Sequence, residues 1–304
     1  MSEENKPVVS IGMPAYNSEA DIADAIEALL AQTFEDFELV ISDNCSTDRT
    51  QEICEEFSRK DRRVKYSRNA ENLGASGNYN RVFELSQGKY FKWASSNDYC
   101  EPTFLEKCVA VLDENPNCVL VSPKTRLYSK EITNCVDYEE PLSTAGMTTP
   151  VERMAYIIDN IRLNNVMNGM FRSEPLGKTP LMVPFFASDV CLMGEIALYG
   201  DVLEIDEFLF YRQMDEESST SMQDTETMTE HYYPAGGKKM YFQYWKGFLF
   251  YFAALGRYGL TGKEKMDGYK AILKRMYWYK DKLTRDIMFW KPYRAKKITN
   301  WKEL

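Results

Sequence analysis

The sequence has little with which to bind a structural metal or build a disulfide framework. Its seven cysteines are scattered, odd in number and without a Cys-x-x-Cys pair, and it contains one histidine, His231. Scattered cysteines of this kind are typical of reduced thiols in an intracellular protein. We interpret His231, which adjoins Tyr232 and Tyr233, as a surface or packing residue rather than a metal or phosphate ligand.

Long apolar runs are also missing. No stretch approaches the roughly 18 consecutive apolar residues that a membrane-spanning helix needs, and MSEENKPVVS at the start has no apolar core of a secretory signal. We therefore expect a cytoplasmic protein, at most peripheral on the inner face of a membrane. With 304 residues, of which 44% are apolar, the chain can form one large α/β domain plus an appendage, or two small domains.

Charge is unevenly distributed along the chain. Residues 238–304 hold 17 Lys and Arg against 5 Asp and Glu, a net charge of +12, whereas the whole chain has a net charge of −9. Residues 1–237 are therefore strongly acidic. Two parts of one chain with opposite charge face different partners or face each other.

The first 122 residues alternate strand and helix patterns. Strands are predicted at residues 8–13, 37–42, 64–67, 90–94 and 118–122, and helices near residues 22–30, 50–60, 78–85 and 103–112. Ser18 and Asp21 resemble a capping box for the first helix. Strands joined by helices of this length predict right-handed crossovers and a mainly parallel sheet.

The remainder of the chain is less regular at first. Residues 123–185 show no clear pattern, and they are followed by a predicted helix at 190–199, a strand at 202–211, a polar loop at 215–229 and helices from Tyr241 onward. We expect residues 1–125 and 126–237 to be two halves of one domain, and residues 238–304 to be a helical extension.

The candidate binding residues follow four successive predicted strands, and most of them are polar. They are Pro14, Ala15, Tyr16 and Asn17; Asp43, Asn44 and Ser46; Arg68, Asn72 and Gly74; and Ser96, Asn97 and Asp98. Ligands of parallel sheets bind beyond the carboxyl ends of the strands. There a carboxylate can accept from a ribose hydroxyl or a uracil N–H, an arginine can pair with a diphosphate, and a tyrosine can stack on a base. Each residue alone could be a turn or a helix cap, but four such ends in register favour a nucleotide ligand.

Three stretches carry a resemblance to a known family. SIGMPAYNSEADIADAIEALLAQTFEDFELVISDNCSTDRT, ENLGASGNYNR and GKYFKWASSNDYCEPTFLE resemble, in order and spacing, the nucleotide-sugar half of family 2 glycosyltransferases. A weaker similarity to the acceptor half lies between residues 188 and 212. The resemblance implies an α/β fold of the GT-A type, with a mainly parallel, Rossmann-like sheet flanked by helices.

The resemblance also implies an activity. It is the inverting transfer of a sugar from a nucleotide diphosphate sugar to a glycan or lipid-linked hydroxyl. We expect a UDP-hexose or UDP-N-acetylhexosamine as donor, with dTDP- or GDP-sugars less favoured. Nucleic acid is not expected as a partner, and an oligomer is left open.

Roles for particular residues follow from the resemblance. Pro14, Ala15 and Tyr16 would border the base, Asp43 would hold the uracil or ribose, and Arg68 would lie beside the nucleotide. Asp189 stands where the family has its catalytic base, which takes the proton from the acceptor hydroxyl. Arg212 belongs to the acceptor-side motif, and we expect it to bind the nucleotide sugar.

The metal motif departs from the family pattern. An Asp-x-Asp motif would bind ribose and a divalent cation, Mn²⁺ or Mg²⁺, but its usual metal ligand is Asn97 here and only Asp98 is acidic. One carboxylate binds a hard cation more weakly than two. Three outcomes are open: Asp98 binds the cation, the diphosphate holds most of it, or activity is reduced. A second departure is Met214, where many relatives have histidine.

Other interpretations follow from the same residues. The degenerate motif allows a nucleotide-sugar-binding or scaffold protein with reduced or lost catalysis. A nucleotidyltransferase lacks its Gly-rich basic loop, and PAYNSEA after the first strand is not the GxGxxG of a dinucleotide site. Asp189 could also cap the following helix. We expect Glu195, Asp201 and Glu204 to be solvated.

The C-terminal segment permits two interpretations. Its aromatic and basic residues favour a helical cap that packs on the catalytic domain. The same composition is typical of a segment that lies on an anionic membrane surface.

Overall fold

A single mixed β-sheet runs through both halves of the N-terminal region. The computed structural model describes residues 6–129, 132–214, 231–234 and 241–288. Within these residues the strands are β1 (Val9–Ala15), β2 (Phe37–Asp43), β3 (Val64–Arg68), β4 (Tyr90–Trp93), β5 (Tyr99–Cys100), β6 (Cys118–Tyr128), β7 (Cys135–Tyr138), β8 (Met170–Arg172) and β9 (Asp201–Gln213). Their order across the sheet is β3-β2-β1-β4-β8-β6-β9-β5, and β7 pairs with β6.

Helices cover both faces of this sheet. They are α1 (Ile22–Leu30), α2 (Thr50–Lys60), α3 (Gly74–Leu85), α4 (Phe104–Glu114), α5 (Pro150–Asn160), the short α6 (Ser173–Leu176) and α7 (Ser188–Tyr199). A 3₁₀ turn, Asn165–Asn168, precedes β8. The C-terminal helices are α8 (Gln243–Arg257), α9 (Gly262–Trp278) and α10 (Lys280–Met288).

Strand direction determines where a ligand can bind. Strands β1 to β4 are mutually parallel, β8 is antiparallel to both β4 and β6, and β9 is parallel to β6. Because the reversal at β8 is undone at β6, the carboxyl ends of β1–β4, β6 and β9 share one edge of the sheet. The predicted mainly parallel sheet is confirmed, and this edge is where its ligands are expected.

The sheet is held by an apolar core on each face. On one face Ile11 and Met13 of β1 pack with Ile22 and Ile26 of α1, all fully buried. On the other face the rings of Phe83, Phe91, Trp93 and Phe171 form successive edge-to-face pairs with centroids 4.8–5.2 Å apart. A strand covered on both sides is buried along its whole length, as the seven residues FELVISD of β2 are. Its polar residues Glu38 and Asp43 accept hydrogen bonds from Ser10 and Ser46.

Most predicted elements are present, with shifted ends. Helix α2 begins and ends at the predicted residues, whereas α3 begins four residues earlier and β6 continues six residues further than expected. The capping box predicted at Ser18 is wrong. Helix α1 has no side-chain cap, and the Ser18 hydroxyl donates instead to the carbonyl of Tyr16 at 3.3 Å.

Residues 123–185 contain more regular structure than the sequence indicated. Helix α5 begins at Pro150, whose fixed φ suits the first helical position. The Thr149 hydroxyl accepts from the backbone N–H of Glu152 at 3.2 Å. Thr149 and Pro150 together are a helix-start signal. Residues 215–229, where a polar loop was expected, lie outside the described residues.

The C-terminal helices pack on the sheet-covering helices α5 and α7. Phe248, Phe250 and Tyr251 are buried there, as the helical-cap interpretation predicts. Gly194 of α7 allows the close approach, because a Cβ at this position would lie 2.9 Å from the Tyr251 ring. Among the described residues, no helix is both long enough and apolar enough to cross a bilayer.

One charged residue was misjudged from the sequence. Glu195, expected to be solvated, is fully buried in α7. Its carboxylate accepts two hydrogen bonds from Arg257 of α8, at 2.8 and 2.6 Å. Burial raises the pKa of Glu195, and the hydrogen bonds from Arg257 oppose that rise. Helix α7 is therefore fastened to the C-terminal helices by a bidentate ion pair.

Candidate functional site

The ends of β1 and β2 are joined by Asn17. This residue has a left-handed backbone with φ of 48°. Its backbone N–H donates to the Ser46 hydroxyl at 2.9 Å, and its side-chain oxygen accepts from the backbone N–H of Thr47 at 2.9 Å. Residues after two neighbouring strands thus hold each other in place.

Asp43 lies at the end of β2 with a fully buried side chain. Its carboxylate accepts from the Ser46 backbone N–H and the Tyr66 hydroxyl, each at 2.8 Å, and lies 3.4 Å from Arg68 Nε. Arg68 also donates to the Ser46 carbonyl at 2.8 Å. Asp43 therefore positions Arg68 and Tyr66, and the more accessible side chains at this edge are Arg68 and Tyr16, 35% and 49% exposed.

A chain of asparagines supports the loop between β3 and α3. Asn44 donates to Asn72 at 2.7 Å and accepts from the Leu73 backbone N–H at 2.8 Å. Asn69 donates to Asn78 at 3.0 Å, and Asn78 donates to the Ser42 carbonyl at 2.9 Å. An amide side chain both donates and accepts, so it can link backbone groups of separate strands. Sequence reasoning missed Asn69 and Asn78, although Asn78 lies within ENLGASGNYN.

Gly74 begins α3 where another segment crosses it. Its φ is +73°, and a Cβ there would lie 2.7 Å from the backbone carbonyl oxygen of Tyr232. Only glycine satisfies both the left-handed backbone and the close approach. Residues 231–234 thereby lie directly against the start of α3.

The residues after β4 connect this edge to the far side of the sheet. The Ser96 hydroxyl lies 3.3 Å from that of Ser18, while Ser95 donates to the Asn97 side-chain oxygen. The Asn97 backbone carbonyl accepts from Tyr128 of β6 at 2.9 Å. Asp98 accepts from the backbone N–H of Gln213 at the end of β9, at 3.1 Å.

Asn97 and Asp98 are the residues to which the sequence assigns a cation. Within the described ranges no three His, Cys, Asp or Glu side chains cluster in a metal-binding arrangement. Mg²⁺ is commonly bound through one or two carboxylates, with substrate phosphates completing its shell. One carboxylate, one amide oxygen and the neighbouring hydroxyls fit a hard cation that a diphosphate shares.

Asp189 lies in the first turn of α7. The helix begins at Ser188, and the residue before it, Ala187, has a left-handed backbone with φ of 61°. Asp189 is the second residue of the helix, so its interpretation as the helix cap is wrong. A carboxylate in this position is favoured by the positive end of the helix dipole. Asn164 donates to Asp189 Oδ2 at 2.8 Å.

Arg212, near the end of β9, is held by the same loop that holds Asp189. Its Nη1 donates to the Leu163 carbonyl at 2.7 Å and to the Asn165 side-chain oxygen at 2.8 Å. Asn164 and Asn165 are adjacent, so two charged groups from distant parts of the chain are fixed by neighbouring side chains. No sequence motif pointed to Asn164 and Asn165.

Two tyrosines respond to these charged groups. The pKa of Tyr79 is raised to about 12, mainly by burial, with the Asp98 and Asp189 carboxylates acting in the same direction and Arg212 opposing them. Burial also raises the pKa of Tyr232, again with Asp189 acting in the same direction. Asp189 thus acts on both tyrosines, and Asp98 and Arg212 act on Tyr79; sequence reasoning did not identify either tyrosine.

The structure thus brings the sequence-predicted residues to one edge of the sheet. The contacts run from Asp43 through Ser46 and Asn17 to residues 95–98, and from Asp98 through residues 212–213 to Asn165, Asn164 and Asp189. The residues that the sequence assigned to the nucleotide and those that it assigned to the acceptor half are therefore linked by contacts along one edge of the sheet.

Sequence relatives match about a third of the chain. The chain is 37% identical over 112 residues to an uncharacterized glycosyltransferase of Haemophilus influenzae, covering 37% of this chain and 35% of that relative. It is 35% identical over 102 residues to the putative teichuronic acid biosynthesis glycosyltransferase TuaG of Bacillus subtilis, covering 34% of this chain and 40% of TuaG. The matches therefore span well under half of either relative.

Solved structures match nearly the whole chain. Residues 1–349 of S. aureus TarS, in complex with UDP, superpose with a TM-score of 0.62 at 18% identity, covering 91% of this chain and 74% of that one. The mannosyltransferase PcManGT from Pyrobaculum calidifontis, in complex with GDP-Man and Mn²⁺, gives 0.54 at 14% identity, covering 92% and 84%. At these identities the likeness concerns the fold, and it confirms the GT-A type.

The family assignment rests on more than half of the chain. The model described as glycosyl transferase family 2 matches residues 10–176, which contain the strand-end motifs from Pro14 to Asp98 and the loop that holds Asp189 and Arg212. With this match, the fold and the shared edge, the chain belongs to glycosyl transferase family 2.

Proposed function

We propose that the protein transfers a sugar from a nucleotide diphosphate sugar to a hydroxyl group with inversion at the anomeric carbon. The observation that carries the proposal is the position of Asp189. Asn164 donates to it, the adjacent Asn165 accepts from Arg212, and Asp98 accepts from Gln213, so the three charged groups are linked along one edge of the sheet. A general base beside a nucleotide site is the arrangement that a single displacement requires.

The donor occupies the ends of β1–β3. The Tyr16 ring stacks on the base, and the Arg68 guanidinium, positioned by Asp43, pairs with the nucleotide. A UDP-hexose or UDP-N-acetylhexosamine is the donor we favour. Support comes from TarS, which has been solved with UDP and with UDP-GlcNAc, whereas PcManGT was solved with GDP-Man.

The reaction is one in-line step. Asp189 removes the proton from the acceptor hydroxyl while that oxygen bonds to the anomeric carbon, and the bond between this carbon and the diphosphate oxygen breaks on the opposite face. Asn97 and Asp98 would hold a divalent cation, whose chemistry is to neutralise charge on the departing diphosphate. The acceptor is a glycan or a lipid-linked hydroxyl.

Nucleotide release from a panel of nucleotide sugars, with and without Mn²⁺, tests the activity. Asp189→Asn is expected to lower kcat by about 10²–10⁴-fold, the usual contribution of a general base, with nucleotide affinity retained. Asp206→Asn, at a carboxylate that is 90% exposed, is the matched control and should keep wild-type turnover. Equal turnover in Asp189→Asn and wild type would remove Asp189 from its role.

The degenerate metal motif favours a second candidate, a protein that binds nucleotide sugars without turnover. Its supporting observation is that Asp98 is the one acidic residue among 95–98. Tight donor binding by calorimetry with no nucleotide release from wild-type protein, at any cation concentration, would select this function over transfer.

The outward face of α9 supports peripheral membrane association. Met266, Leu273, Tyr277 and Trp278 are each more than half exposed. Lys274 lies 4.9 Å from the Trp278 ring, and Lys280 lies 4.7 Å from the Tyr277 ring. Exposed apolar and aromatic side chains interleaved with lysines match an anionic lipid surface.

Sedimentation with phosphatidylglycerol and phosphatidylcholine vesicles tests this association in the full-length chain. Leu273→Glu with Trp278→Glu is expected to weaken binding to the anionic vesicles by at least about tenfold, because two apolar side chains that would be buried in the lipid are replaced by carboxylates. Val136→Glu, on exposed β7, is the control. If the wild type binds neither kind of vesicle, or if the double variant binds as well as the Val136→Glu control, the proposed membrane association is rejected.

A further inference from the structure

Residues 162–165 form a loop that is fixed from one side by Glu140. Its carboxylate accepts from the backbone N–H groups of Arg162, Asn164 and Asn165, the latter two at 3.3 and 3.2 Å. One carboxylate that holds three amides of a four-residue segment makes this loop rigid. Glu140 follows β7 closely, so the loop is anchored to the sheet.

The backbone of this loop is strained at one residue. Asn164 has φ of 59° and ψ of 39°, a left-handed conformation that costs an L-residue roughly 1–2 kcal/mol. Asparagine tolerates it better than most side chains, but glycine would adopt it freely. Strain of this kind persists where a side chain is required, and it is concentrated at functional sites.

The two asparagine side chains divide their contacts. Asn164 and Asn165 are 5% and 6% exposed. Asn164 donates to Asp189 at 2.8 Å and Asn165 accepts from Arg212 at 2.8 Å. Within the described residues Asn164 Oδ1 and Asn165 Nδ2 have no hydrogen-bond partner, and a buried polar atom without one costs about 1–3 kcal/mol. Stability alone does not account for two such residues side by side.

We infer that Asn164 is the positioning residue of the base. Its N–H holds Asp189 Oδ2, which fixes the carboxylate plane and leaves Oδ1 for the proton of the acceptor hydroxyl. Because Asn165 holds Arg212 from the adjacent position, one rigid loop sets the separation of base and arginine. This inference rests on the proposed transfer reaction.

Asn164→Gly and Asn164→Asp separate this role from a structural one. Glycine keeps the left-handed backbone and removes the amide, so kcat should fall by about 10²-fold, the cost of a misplaced catalytic group. The dissociation constant and KM of the donor should stay within about twofold, since no nucleotide contact is changed. Aspartate keeps the shape but replaces the donor with a second carboxylate, and kcat should fall at least as far.

The control is Asn160→Gly, which removes an asparagine amide from the exposed end of α5 and should leave kcat unchanged. Wild-type kcat in Asn164→Gly would overturn the inference. A joint loss of kcat, donor affinity and unfolding free energy would also overturn it, because that pattern belongs to a structural residue.

Failure of the proposed function is distinguishable from failure of this inference. If wild-type protein binds the donor but releases no nucleotide, the transfer reaction is rejected. Crystal structures then decide the role of Asn164. Asp189 should adopt one side-chain conformer in the wild type and more than one in Asn164→Gly, and a single unchanged conformer would overturn the inference.

Discussion

The proposed nucleotide side and the proposed acceptor side of the site are built by different means. On the nucleotide side, residues 14–17, 43–46 and 68–74 follow parallel strands and bond mainly to one another. On the acceptor side, Asp189 and Arg212 come from a helix and a strand that are distant in sequence, and the loop at 163–165 joins them. The comparison teaches that parallel strands preform one side, whereas long-range packing must assemble the other.

The largest expected effect concerns the packing of α7, which carries Asp189. Arg257→Ala leaves the Glu195 carboxylate buried without a counter-ion, and it should lower the free energy of unfolding by about 3 kcal/mol. Urea denaturation measures this. Lys270→Ala, which breaks the exposed pair with Asp267, should cost about 0.5 kcal/mol or less. Equal losses in the two variants would show that α7 does not depend on the C-terminal helices.

On the nucleotide side, Asn44→Ala removes the link between the loops after β2 and β3. It leaves Asn72 and the Leu73 N–H without their Asn44 partner, so the loss of unfolding free energy should be about 2 kcal/mol. Nucleotide affinity should fall with it, whereas turnover at saturating donor should be spared. A lower kcat with unchanged affinity would contradict the division into two sides.

Gly74→Ala tests the close contact between the start of α3 and residue 232. A left-handed backbone and a Cβ that lies 2.7 Å from the Tyr232 carbonyl together should cost about 2 kcal/mol. Gly146→Ala is the matched control, since φ is +83° but nothing lies within 4 Å, so only the backbone cost of about 1 kcal/mol applies. Equal losses of thermal stability in the two variants would mean that the backbone at residue 232 moves to accommodate the new Cβ.

The smallest effect is expected at Tyr138, which lies beside the acceptor-side loop. Its hydroxyl is buried and has no hydrogen-bond partner among the described residues. Tyr138→Phe should therefore leave the free energy of unfolding unchanged or raise it by no more than about 1 kcal/mol. Thermal denaturation measures this. A clear loss of stability would show that an ordered water satisfies this hydroxyl.

The sequence placed the residues of the proposed nucleotide side at one edge of the sheet for a physical reason. Side chains that follow parallel strands meet at one edge wherever the strand order allows, so Asp43, Arg68 and Asp98 could be assigned to one place from local patterns. Asn69 and Asn78 were missed because an asparagine in a loop looks the same whether it faces solvent or links two strands.

The proposed acceptor side and the packing of α7 against the C-terminal helices were harder to predict from the sequence. Glu195 was expected in solvent because nothing near it in the sequence signals Arg257, which lies 62 residues away. Asn164 gave no signal either, since its left-handed backbone depends on three amides held by Glu140.

The sequence by itself determined the alternation of strands and helices, the family resemblance and the residues offered at the ends of β1–β4. These follow from local periodicity and from motifs that are contiguous in the chain. Only the tertiary structure decided that β8 reverses and β6 restores the strand direction, which places Arg212 on the nucleotide edge. It also decided that α7 is bound by Arg257 and that Asn164 donates to Asp189, because these contacts join residues that no local pattern connects.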